Sequence, residues 1–149
     1  MEILPRMVSI VLFENACWQM YLNENQTYLG RGYVKLRRPC ECLSDLTGYE
    51  WLQFGKMVAA YETATRKAFG ATMFNWTCMM NSEYMKGLPA PKVHWHVRPR
   101  YKDLVEIGGV TYRDPNFGHH YDRDAEKSAP LATAELLVEI GEHLKGSFR

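Results

Sequence analysis

At 149 residues, 46% hydrophobic and 13% aromatic, the chain has the size and composition of one globular domain with a buried core. Its 18 Lys plus Arg against 17 Asp plus Glu leave a formal net charge of +1, and no run of like charge reaches the length of a tail, which argues against generic binding to a nucleic-acid polymer. No stretch approaches the roughly 18 apolar residues of a membrane helix, so neither a membrane span nor a membrane partner is expected.

Residues 7–13 are apolar but short, and Glu14-Asn15 follow without a small-residue cleavage site, so they read as a strand rather than a signal peptide. The cytoplasm is the expected location. Residues 18–24 form a second strand, in which Trp18, Met20 and Leu22 alternate with Gln19, Tyr21 and Asn23. A third is expected over 28–36. Among Cys17, Cys40, Cys42 and Cys78 there is no C-x-x-C pair, which points to reduced thiols rather than a zinc site.

Thr47-Gly48-Tyr49-Glu50 is a capping box, opening a helix that runs to about Phe69 and stops at Gly70. Its buried face is expected to carry Trp51, Phe54, Met57, Val58, Tyr61, Ala64 and Ala68. Residues 73–81 read as a strand buried on both faces, 87–91 as a loop, and 92–98 as the next strand. Gly108-Gly109 marks a hairpin, residues 114–118 a turn, and a terminal helix is expected from about Pro130 to Lys145 with Ser128 or Ala129 near its N-cap. The fold class is α+β: an antiparallel sheet of about five or more strands, one long helix and a C-terminal helix.

The segment from Lys92 to Tyr101 carries the chemistry. Alternation sends Val93, Trp95 and Val97 to one face and Lys92, His94, His96 and Arg98 to the other. Two neighbouring imidazoles disfavour each other's charged forms, and flanking cations add to this. A neutral imidazole beside fixed positive charge suits nucleophilic attack on phosphorus, its neighbours holding the anionic oxygens. A solvated His-x-His face, or half of a metal site completed by His119 or His120, is the competing reading of these residues. Adjacent histidines point apart, which makes a loop capping a pocket or merely capping the sheet the better reading of His119 and His120. All four tryptophans fall on apolar positions and are expected in the core.

Val-His-Trp-His-Val followed by Pro-Arg-Tyr resembles the histidine triad (HIT) superfamily, whose signature is His-φ-His-φ-His-φ-φ with φ apolar. On it His94 takes the middle, nucleophilic position, His96 the third and Lys92 the first. The resemblance spans about residues 18–101 and is nearest the diadenosine-polyphosphate hydrolase or phosphorylase branch. It implies a HIT-like domain over 1–149, with 102–149 a C-terminal extension packed on it. It also implies phosphate contacts from Asn81 and Arg98, and nucleoside contacts from Asn23 and Arg31; Tyr21 or Tyr28, near the turn beside Asn23, is expected to pack on a base.

The implied reaction is cleavage of a dinucleoside polyphosphate or an AMP-linked small molecule through a nucleotidyl-histidine at His94. No resident cofactor or metal is required, and Mg²⁺ would enter with a polyphosphate substrate. A homodimer is the implied assembly. The chain departs from the pattern at Lys92, which donates but cannot relay a proton as imidazole does, and at Arg98, which replaces an apolar residue. The alternative is therefore a nucleotide-binding or regulatory protein with weakened catalysis. Positive charge is expected to gather at Lys92, Arg98, Arg100 and Arg31 around His94 and His96.

Overall fold

The computed structural model describes residues 9–88 and 90–148. Met7 and Val8 of the first expected strand and Pro89 of the expected loop lie outside them. Strands β1 (Ile10–Glu14), β2 (Trp18–Leu22), β3 (Gly32–Leu36), β4 (Met73–Thr77) and β5 (His94–Arg100) form a five-stranded sheet in the order β1-β2-β3-β5-β4. Every neighbouring pair is antiparallel. Helix α1 (Gly48–Phe69) follows β3, a short α2 (Ser82–Met85) follows β4, and β6 (Val105–Ile107) pairs with β7 (Val110–Tyr112). Two further helices, α3 (Arg123–Ser128) and α4 (Ala134–Gly146), end the chain. No helix among the described residues is long and apolar enough to cross a membrane.

The sheet has one sealed face. Trp18, Met20 and Leu22 of β2 and Val34 and Leu36 of β3 point into the core with Val97 of β5, as period-two alternation requires. Helix α1 covers them with Met57, Tyr61, Ala64 and Phe69. Trp18 Nε1 donates to the Glu50 carbonyl at 2.9 Å, and its ring lies 5.0 Å from that of Phe54. The capping box is formed in both directions, and Gly70 adopts the left-handed conformation at φ 76°. Gly32 can be only glycine, because a Cβ there would lie 2.7 Å from both the Met20 side chain and the Tyr21 carbonyl.

Several expectations are corrected. Trp51 is 42% exposed rather than core, because the buried face of α1 is rotated toward Glu50, Gln53, Met57, Tyr61 and Thr65. Glu50 can line it because Arg38 forks onto its carboxylate at 2.7 and 2.8 Å. Strand β3 starts at Gly32, since residues 28–31 close a turn through Arg31 N–H to the Tyr28 carbonyl at 2.9 Å. Strand β4 ends at Thr77 and is half-buried throughout, being one of the two outer strands of the sheet, and Met80 at φ 55° takes the chain out of extended geometry.

Strand β5 is displaced toward its C-terminus, to Arg100, leaving Lys92 exposed before it. The terminal helix begins at Ala134 with Thr133 as its cap, while Ser128 and Ala129 instead end α3, a helix not foreseen. The Gly108-Gly109 hairpin forms as expected, both glycines having positive φ.

Candidate functional site

The other face of the sheet carries the polar residues, and strand register places them in rows. Tyr21 pairs with Tyr33, which pairs with His96, which pairs with Thr77. The adjacent row runs from Gln19 through Lys35 to His94. Directly paired residues send their side chains to the same face with Cβ atoms about 5 Å apart. Tyr21 and Tyr33 are stacked, centroids 5.1 Å apart, and the His94 and His96 rings meet edge-on at 5.3 Å.

The two histidines are set differently. His94 Nδ1 lies 2.7 Å from the Lys92 carbonyl oxygen. A carbonyl only accepts, so Nδ1 carries a proton, and in the neutral ring the lone pair is therefore on Nε2. His96 is more enclosed, and its Nδ1 is a buried nitrogen with no hydrogen-bond partner. Burial first, then the positive fields of His94, Arg31 and Arg98, lower its pKa to about 4, with Glu126 opposing. Its imidazole is thus neutral at ordinary pH. Beside it, burial raises the Cys78 thiol, an effect that a hydrogen bond to the His94 backbone works against.

The arginines have partners. Arg98, 5% exposed, forks onto Glu126, Nε to Oε1 and Nη2 to Oε2 at 3.0 Å, while Arg31 Nη1 reaches the same carboxylate at 3.0 Å. The Tyr121 ring lies 3.9 Å from the Arg98 guanidinium. Arg100, wholly buried, bonds Asp114 at 2.5 and 3.0 Å, Asn75 Oδ1 at 2.9 Å, and the carbonyls of Asn116 and His119 at 2.9 and 2.7 Å. The positive charge expected around the histidines is therefore largely neutralised within the fold. Asn75 of β4 serves this guanidinium as an acceptor.

Asn23 holds the turn after β2, its Oδ1 accepting from Asn25 N–H at 2.8 Å. Asn81 stands at the start of α2 and is exposed, its side chain 3.9 Å from Met85 Sδ. Glu83 of α2 lies within the field of His94, one of several influences that hold its carboxyl below the usual range, the largest being its own backbone amide. A cavity of about 460 Å³, bounded in part by Cys40, Asp45, Pro91 and Lys92, opens at the start of β5. His119 and His120 lie exposed in the loop before α3, and His120 Nδ1 bonds the Tyr121 carbonyl at 2.6 Å. Among the described residues no group of three or more His, Cys, Asp or Glu is placed to hold a metal ion.

The site's neighbours Tyr33, Lys35, Tyr121 and Glu126 were not foreseen. Tyr33 and Lys35 alternate with buried Val34 and Leu36, so their face was available from the pattern. Glu126 had no local signal.

No family model matches the chain, and no curated protein matches it in sequence. Solved structures do match its fold. A histidine triad protein from Bradyrhizobium japonicum superposes with a TM-score of 0.64 at 14% identity, over 95% of this chain and 91% of that one. A Hit-like protein involved in cell-cycle regulation from Bartonella henselae gives 0.63 at 16%, over 95% and 87%. A uridylyltransferase gives 0.61 at 14%, over 93% of this chain and 40% of that one. The chain has the α+β fold of histidine triad proteins.

Proposed function

We propose that this chain is a histidine triad nucleotide hydrolase or nucleotidyltransferase in which His94 is the nucleophile, acting on a dinucleoside polyphosphate or an AMP-linked small molecule. The observation that carries the reading is the hydrogen bond from His94 Nδ1 to the Lys92 carbonyl, which leaves Nε2 as the free base on the open sheet face. His96 has no such bond, which favours His94 of the two. The uridylyltransferase among the fold neighbours supports nucleotidyl transfer as a reaction this scaffold accommodates.

In the first step the Nε2 lone pair attacks the α-phosphorus, the P–N bond forms, and the bond to the leaving phosphate oxygen breaks with its electron pair. In the second, water attacks the same phosphorus, the P–N pair returns to Nε2, and a proton passes from the water to solvent. Phosphate in place of water gives phosphorolysis. The neutral ring of His96 lies beside the reacting nitrogen, and the Tyr21–Tyr33 pair offers an aromatic wall to a nucleobase.

A second reading rests on Lys92, which supplies a cation but no proton relay where the signature has its first histidine: a nucleotide-binding protein with little turnover. Incubation with diadenosine tetraphosphate, alkaline quench and mass spectrometry separates the two. The enzyme reading expects adenylate on His94, and turnover lower by about 10³-fold or more in His94→Ala. Binding with neither label nor product supports the second reading. Absence of binding overturns both.

A further inference from the structure

We propose that Lys35 is a phosphate-binding residue of this site, holding the phosphates beyond the one His94 attacks. The inference rests on the nucleotidyl-transfer reading and adds to it a residue that neither the triad signature nor the fold assigns. Lys35 on β3 is the register partner of His94 on β5, so the two side chains rise from adjacent points on one face of the sheet. The other cations near the histidines are in use: Arg31 and Arg98 share Glu126, and Arg100 is buried against Asp114. Lys92 is exposed, but it precedes the strand.

Lys35 is exposed, and no carboxylate among the described residues forms an ion pair with it. The nearest acid along its row, Glu14, is taken by Arg37 at 2.8 Å and Gln19 at 3.0 Å. The ammonium instead rests on the two tyrosines, 5.4 Å from the Tyr21 centroid and 5.2 Å from that of Tyr33. An exposed cation–π contact is weak. A charge-assisted bond to a phosphate oxygen is stronger, and the flexible four-carbon stem allows the ammonium to swing from the rings to a phosphate. Moving it also uncovers the aromatic wall at the moment a nucleotide needs it. A lysine beside the nucleophile that rests on two tyrosine rings rather than on a carboxylate thus supplies the anion-binding charge that the paired arginines do not.

The test is calorimetric titration of the wild-type protein, Lys35→Met and Lys35→Arg with adenosine, AMP and ATP. Lys35→Met retains the apolar stem at an exposed position, and a thermal melt verifies that it folds. The expected result is an affinity for ATP lowered about tenfold in Lys35→Met, a smaller loss for AMP, no loss for adenosine, and recovery in Lys35→Arg. Unchanged ATP affinity in Lys35→Met, or an equal loss for adenosine and ATP, overturns the assignment while leaving His94 in its role. The second pattern would make Lys35 a support for the tyrosine pair alone. Wild-type protein that binds none of the three ligands overturns the nucleotide reading and this assignment with it.

Discussion

The two halves of β5 present one kind of side chain on one face and use it in opposite ways. His94, His96, Arg98 and Arg100 alternate along the strand, yet the histidines are half-buried and the arginines sealed. What differs is the cover. The segment after β7 lays Asp114, Tyr121 and Glu126 over the arginines, together with the carbonyls of Asn116 and His119. It leaves His94 bonded through Nδ1 to a single backbone carbonyl. A row of nitrogen bases and cations is therefore neither a site nor a scaffold until its acceptors are known. Where the fold brings carboxylates the row becomes structure, and where it brings none the row stays open for chemistry.

Removing a sealed cation should have the largest effect on stability. Arg100→Met leaves Asp114 charged and buried without its partner and strands the carbonyls of Asn116 and His119. A loss of about 3–5 kcal/mol in urea denaturation is expected, the usual cost of breaking a buried pair from one side. A loss below about 1 kcal/mol would erase the contrast between the halves. Glu126→Gln should come next, at roughly 3 kcal/mol, because two guanidiniums then face each other without the carboxylate that both use. Limited proteolysis should cut this variant first within residues 121–132. That stretch is tied to the turn after β2 by Asn25 Nδ2 to the Glu126 carbonyl at 2.7 Å and Ala132 N–H to the Glu24 carbonyl at 3.0 Å. Unchanged cleavage would show that the carboxylate does not hold the cover down.

The open half was legible in the sequence and the sealed half was not. His94 and His96 could be placed on one face because strand alternation is a local, two-residue rule. Thr47, Glu50 and Gly70 marked the long helix through capping chemistry, equally local. Glu126 meets Arg98 across 28 positions of chain and Arg31 across many more, and no periodicity encodes such a pairing. Its helix is short and mostly polar, so nothing announced that its one buried residue would be an acid. The same gap made Arg98 and Arg100 read as cations of the site, since a cation on a strand looks identical whether its partner is a ligand or a distant carboxylate.

The smallest expected effect tests whether the halves communicate. His96 has its pKa lowered from 6.5 to about 4 by burial and by the fields of His94, Arg31 and Arg98, against the opposing Glu126. The unfolded chain therefore binds more protons at this residue than the folded chain does between those values. Its contribution to stability is full above pH 6.5, falls as pH drops through the interval, and levels off below about pH 4. Denaturation at pH 7 and pH 5 should show a smaller difference between the two pH values in His96→Gln than in the wild-type protein. Parallel losses would remove His96 from the account. Glu126→Gln should act in the opposite sense, carrying the wild-type loss on below about pH 4, because it deletes the negative charge that favours the imidazolium while Arg31 and Arg98 remain. A Glu126→Gln profile that levels off where the wild type does would mean that the carboxylate shared by the sealed arginines acts on the fold alone and leaves His96 electrostatically untouched.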